Sequence, residues 1–66
     1  MPSKYVLATQ RFLKNNDYPF AKVVGEVVSG DEVIVVVDTS VVPGRRKLGT
    51  FVYDKDGTML EYNLSP

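Results

Sequence analysis

Sixty-six residues suffice for one small domain, residues 1–66, and a domain of that size buries only about 60% of its unfolded surface, so its core is marginal alone. The chain has no cysteine and no histidine. That excludes disulfides, the usual zinc sites and any Ser-His-Asp or Cys-His catalytic pair. Eight basic residues balance eight acidic ones, so no net field draws in nucleic acid or anionic lipid.

In chain order, residues 4–15 predict a helix. The segment contains neither Gly nor Pro, and Tyr5, Ala8, Thr9 and Phe12 recur at helical spacing, with Val6 and Leu13 widening the stripe. Ser3 is the expected N-cap, and Lys14 suits the negative end of the helix dipole. Asn15-Asn16 is expected to supply a left-handed residue that ends the helix. Tyr18-Pro19 then imposes extended or turn geometry.

Residues 21–29 and 32–39 predict a hairpin about Gly30-Asp31, a two-residue turn of type I′ or II′. Its second strand carries Val33-Ile34-Val35-Val36-Val37, five consecutive β-branched residues that pack well on a pleated surface. With Ser29 paired to Glu32, Val27 faces Ile34 and Gly25 faces Val36. Gly25 predicts a bulge or a close approach by the helix. Residues 40–46 form the longest loop after this hairpin, with the turn signal Pro43-Gly44.

Residues 47–54 and 58–64 predict a second hairpin about Asp54-Lys55-Asp56-Gly57, a type I turn with Gly57 left-handed. The expected register pairs Asp54 with Thr58, Val52 with Leu60, and Thr50 with Tyr62. The architecture is α+β: one N-terminal helix packed on an antiparallel β-meander of three to four strands, in the order α-β-β-β-β. The expected core is Tyr5, Phe12, Val23, Val27, Ile34, Val36, Val52, Leu60 and Tyr62. That leaves a second apolar face on the sheet, lined by Val33, Val35, Val37, Phe51, Tyr53 and Met59, with Val24 and Val28 beside it. Such a face exceeds the apolar patch of a typical monomer and predicts self-association or a protein partner.

Constellations that carry chemistry are sparse. The carboxylate pairs Asp54/Asp56 and Asp31/Glu32 fall at turn tips and read as turn formers and solvated charge. Asp54-Lys55-Asp56-Gly57 places its glycine too early for a calcium loop. The glycine spacing of Gly44-Arg45-Arg46-Lys47-Leu48-Gly49-Thr50 lacks the lysine after the second glycine that a phosphate-binding loop needs. Neither a metal nor a cofactor is implied, and no catalytic residue is assigned. Arg45-Arg46-Lys47 is the one dense basic cluster. Beside Phe51 and Tyr53 it gives the alternative reading, a single-stranded nucleic-acid module with cations on phosphates and rings under bases.

The hairpin Val23–Asp38 followed by Phe51-Val52-Tyr53-Asp54-Lys55-Asp56-Gly57-Thr58-Met59-Leu60-Glu61-Tyr62 resembles a PepSY-type domain over nearly the whole chain. The resemblance implies a topology, a helix and strands closed by a hairpin, and carries no functional residue with it. That family is often secreted or membrane-associated and is linked to peptidase modulation. The basic Pro43–Lys47 loop departs from its pattern. No apolar run exceeds five residues and no leader is visible, so the expected location is cytoplasmic, without a membrane span. The expected role is a non-catalytic interaction or structural module that forms a homo-oligomer, with a dimer as first choice.

Overall fold

A computed structural model describes residues 3–40, 44 and 47–64 of the chain. It has one helix, α1 (Lys4–Asn15), and four strands, β1 (Lys22–Ser29), β2 (Glu32–Asp38), β3 (Leu48–Asp54) and β4 (Met59–Asn63). The strands form one antiparallel sheet in the order β1-β2-β3-β4. The α-β-β-β-β layout matches the sequence expectation.

Both ends of α1 are closed by local chemistry. At its start the Ser3 hydroxyl accepts from the Val6 amide at 3.2 Å, satisfying one of the amides that an N-terminus leaves unpaired. The first turn of α1 carries no acidic residue. The carboxylate comes from β1 instead: Ser3 Oγ donates to Glu26 Oε2 at 2.7 Å, placing negative charge where the helix dipole favours it. At the far end Asp17, at φ 66°, takes the left-handed conformation, not Asn15 or Asn16 as expected. The Tyr18 amide then reaches back to the Leu13 carbonyl at 2.8 Å, the long bond of a Schellman cap.

The turns follow the sequence closely. Gly30 has φ 60° while Asp31 does not share the positive φ, which selects type II′ of the two expected geometries. Gly57, at φ 95°, is left-handed as expected, and its amide donates to the Asp54 carbonyl at 3.0 Å. The Asp54 carboxylate accepts from the amides of Asp56 and Thr58 at 3.0 and 2.9 Å. That carboxylate is therefore a turn-forming group.

Two bulges alter the expected registers. Ser29↔Glu32, Val27↔Ile34 and Gly25↔Val36 pair as read from the sequence, but Val24 is an extra residue and Val23 lies opposite Val37. In the second hairpin Tyr53 faces Met59, and Leu60 is the extra residue. Val52 consequently faces Glu61, not Leu60, and Phe51, not Thr50, faces Tyr62. A shift of one residue turns every following side chain to the other face, and this one brings Tyr62 to the helix side.

The core lies between α1 and the face of the sheet built from Val33, Val35, Val37, Phe51 and Tyr53, closed from above by Leu13 and Thr9. Aromatic rings knit the two layers: Phe12 meets Phe51 edge-on at 5.3 Å and Tyr62 at 5.0 Å, while Phe51 and Tyr62 stack at 5.7 Å. Such pairs add to the area they bury.

Candidate functional site

The helix covers the face that was expected to be free. Val35, Val37 and Phe51 are fully buried, Tyr53 is 1% exposed, and Val33 is buried with them. Met59 is half-buried against this cluster. The five buried residues cannot line a contact face on the folded domain. Of the expected core, Tyr5, Phe12 and Val23 do pack against the buried cluster. Val27 and Leu60 are about half exposed, at 53% and 52%. Ile34, Val36 and Val52 lie on the opposite side of the sheet and are half-buried by their neighbours.

The open face is therefore the complement of the expected one. Strand pairing places Gly25, Val36 and Thr50 in one row across it and Val27, Ile34 and Val52 in the next. These two rows form an apolar band. Among the described elements none lies above it, because the single helix is engaged on the other side. Polar residues bound the band. Glu32 and Asp54 are paired at the end that carries both hairpin turns, Glu61 flanks Val52, and Lys22 and Asp38 are paired at the other end.

Charge is sorted along the strands although the chain is neutral overall. Because each strand reverses on the last, both hairpin turns fall at one end of the sheet. That end holds Asp31, Glu32, Asp54 and Asp56 against Lys55 and Lys4, whose Nζ donates to the Lys55 carbonyl at 3.3 Å. The opposite end holds Lys22, Lys47 and the last-turn Lys14 against Asp17 and Asp38. Asp38 Oδ1 accepts from the amides of Ser40 and Lys47 at 2.9 and 3.4 Å. Arg45 and Arg46 lie outside the described residues; in sequence they immediately precede Lys47.

The strand edges are poorly suited to pairing with another sheet. β1 is interrupted by its bulge and carries Lys22 and Glu26; β4 has five residues, one of them bulged. Bulges, charges and short length are the usual devices that blunt an edge.

Inside the helix–sheet layer lies a polar contact that sequence reading missed. Thr9, fully buried, is 2.6 Å from the Tyr53 hydroxyl. Thr9 Oγ1 also donates to the Tyr5 carbonyl at 2.8 Å. Since a threonine hydroxyl has one proton, Tyr53 must donate to Thr9. Burial pushes the Tyr53 hydroxyl above its ordinary pKa, and the bond to Thr9 partly opposes that shift. The pair is structural: every buried side-chain polar atom among the described residues has a partner.

Two clefts flank the C-terminal end of α1. One, of about 530 Å³, is lined by Phe12, Asn16, Tyr18, Tyr62, Asn63 and Leu64. The other, of about 270 Å³, lies beside Leu13, Lys14, Tyr18 and Pro19. Neither lining includes a carboxylate, so neither assembles an acid–base pair. Among the described residues no three acidic side chains converge to hold a metal ion. No described helix is long and apolar enough to cross a membrane. Because Phe51 and Tyr53 are buried, the basic cluster has no exposed rings from them on which bases could stack.

No protein-family model matches this chain, and neither the curated proteins nor the solved structures contain a significant match to it.

Proposed function

We propose that this chain is a small, non-catalytic structural or interaction module that self-associates through the open face of its sheet. One observation carries the reading: the apolar band of Val27, Ile34, Val36 and Val52 has no described element of its own chain above it. Apolar area removed from water contributes about 25 cal/mol per Å², and a domain this small gains from a partner. Face-to-face association is favoured over edge pairing because both edges are bulged. The likeness to PepSY-type domains stays at topology and lends the proposal no residue.

Geometry sets the expected strength. Four strands about 4.8 Å apart and about 23 Å long offer a footprint of roughly 450 Å² per copy. Two such footprints fall short of the roughly 1,200–2,000 Å² of stable complexes. The expected dimer is therefore concentration-dependent. Light scattering across a dilution series should show a mass rising from about one chain towards two. Val27→Lys, at an already exposed position, and Ile34→Asp should keep the far-UV spectrum and reduce the mass to that of one chain. A wild-type chain that stays monomeric at every concentration, or a folded Val27→Lys variant that self-associates like wild type, would overturn the reading.

A further inference from the structure

The larger cleft at the C-terminal end of α1 is walled by rings that the fold has turned towards it. The bulge at Leu60 brings Tyr62 to the helix side, where it packs on Phe12 and Phe51 yet stays 53% exposed. A β-bulge is a common means of re-aiming a side chain beside a functional site. Asp17, left-handed at φ 66°, turns the chain back so that Tyr18 joins the same cleft. Among the described residues the hydroxyls of Tyr18 and Tyr62 and the side-chain amide of Asn63 have no protein partner. Asn16 commits Nδ2 to the Phe12 carbonyl at 2.8 Å, leaving Oδ1 as an acceptor. No charged side chain lines the cleft, and its volume of about 530 Å³ is that of a small-ligand site. Rings edged by amides and hydroxyls, without charge, suit a flat, neutral ligand with donors and acceptors on its rim. A nucleobase has that face and that edge.

A cation lies on the same side of the sheet. Leu64, another wall of the cleft, sits so close over Gly49 that a Cβ there would stand 2.5 Å from its Cδ2. Lys47 precedes Gly49 by two strand positions, about 7 Å. The Thr39 amide donates to the Lys47 carbonyl at 2.9 Å. The ladder between β2 and β3 therefore runs one step past Leu48, and Lys47 keeps the parity of Gly49 and Phe51, which is the helix side. Arg45 and Arg46 immediately precede it in sequence. Asp38, whose Oδ1 accepts from the Lys47 amide, belongs with Leu48 to the open face, and Glu61 belongs there with Val52. Asp17 adjoins Tyr18 at the helix end, which leaves the strand side for a phosphate. Cations beside stacking rings are how proteins hold single-stranded nucleic acid. We infer that the cleft takes a base of single-stranded nucleic acid against Tyr18 and Tyr62, with Lys47 on an adjoining phosphate. These are not the rings that the sequence placed beside the basic cluster, since Phe51 and Tyr53 lie under the helix. The site is built from α1 and the helix side of the sheet and does not depend on self-association through the open face.

Fluorescence anisotropy with a labelled single-stranded oligoadenylate tests the site. The chain should bind the strand at low salt and prefer it to the duplex of the same sequence, whose paired bases cannot enter the cleft. Tyr62→Leu keeps an apolar contact with Phe12 and Phe51 but removes the ring, and should weaken binding about tenfold, the scale of one lost base–ring stack. Tyr62→Phe, which keeps the ring, should retain most of the affinity. Lys47→Gln should lower the slope of log affinity against log salt by about 0.7, the share of one phosphate on a single strand. Circular dichroism establishes that each variant is folded, and Tyr18→Leu probes the same cleft should Tyr62→Leu unfold. No binding at low salt, or folded Tyr62→Leu and Tyr18→Leu variants that bind like wild type, would overturn the site. A duplex bound as tightly as the single strand would reduce the contact to charge and overturn the base pocket. Adenosine monophosphate bound as tightly as the oligomer would overturn the assignment to nucleic acid in favour of a free nucleotide.

Discussion

The two faces of β2 are made of nearly the same residues and do different things. Val33, Val35 and Val37 are buried beneath α1, whereas Ile34 and Val36, between them in sequence, face away from it. Their apolar residues alone do not separate the two sides. The neighbours do: the inner side meets Phe51, Tyr53 and Leu13, and the outer side meets Gly25, Val27, Thr50 and Val52. Large rings fill the helix–sheet layer, while short side chains make a flatter outer surface. The same strand thus supplies one face packed beneath α1 and another that no described element covers.

The largest expected effect separates the faces outright. Val35→Asp places a carboxylate at a position with no exposure, without a designed partner. An uncompensated buried charge costs several kcal/mol, comparable with the whole stability of a small domain. Circular dichroism and thermal melts should show an unfolded chain. Ile34→Asp, one residue away, should retain a cooperative melt. If both variants unfold alike, or if Val35→Asp melts like wild type, the assignment of the two faces is wrong.

An intermediate effect resolves what the inner face adds beyond apolar burial. Thr9→Val keeps the shape of the side chain but removes the acceptor of the Tyr53 hydroxyl. A buried donor left without a partner costs about 1–3 kcal/mol. Removing both polar groups in Thr9→Val/Tyr53→Phe should recover much of that loss, because two matched apolar groups need no partner. Denaturant melts of the wild type, both single variants and the double variant measure the coupling directly. Additive losses in the double variant would show that the pair contributes shape alone.

Much of the fold was legible in the sequence, and what was not depends on packing between elements distant in the chain. The helix limits, the Ser3 cap, the Gly30 and Gly57 turns and the first hairpin's pairing from Gly25 to Ser29 follow from residue chemistry acting over a few positions. The choice of sheet face does not, since it depends on which side the helix lands. A signal for it was nevertheless present. Glu32, Asp38 and Asp54 share parity with Ile34, Val36 and Val52, whereas the parity of Val33, Val35, Val37, Phe51 and Tyr53 carries no charge. A charge-free parity marks the dry side of a strand. The bulge in β1 falls beside Gly25, one of the two readings that glycine offered, whereas the one at Leu60 was less accessible, because an extra residue is selected by packing on both sides of the strand. The sorting of charge was hidden by a net charge of zero, yet it follows once the meander puts both acidic turns at one end.

The smallest expected effect is a pH dependence that belongs to the inner face alone. Burial raises the pKa of Tyr53 in the folded chain, while unfolding returns it to the ordinary value near 10. Between those values the unfolded chain binds fewer protons than the folded one, so stability falls as pH rises. The contribution is fully present below about pH 10 and is lost as pH passes through the folded-state value. Ionised Tyr53 also has no proton to donate to Thr9. Contributions common to both chains cancel in the difference between wild type and Tyr53→Phe, which is therefore the informative quantity. Denaturant midpoints should fall more steeply with pH for wild type above about pH 10, and the two curves should run parallel below it. Parallel curves throughout would mean that Tyr53 ionises equally well folded and unfolded. Water would then reach its hydroxyl, and the layer beneath α1 would be less dry than the buried Thr9–Tyr53 contact requires.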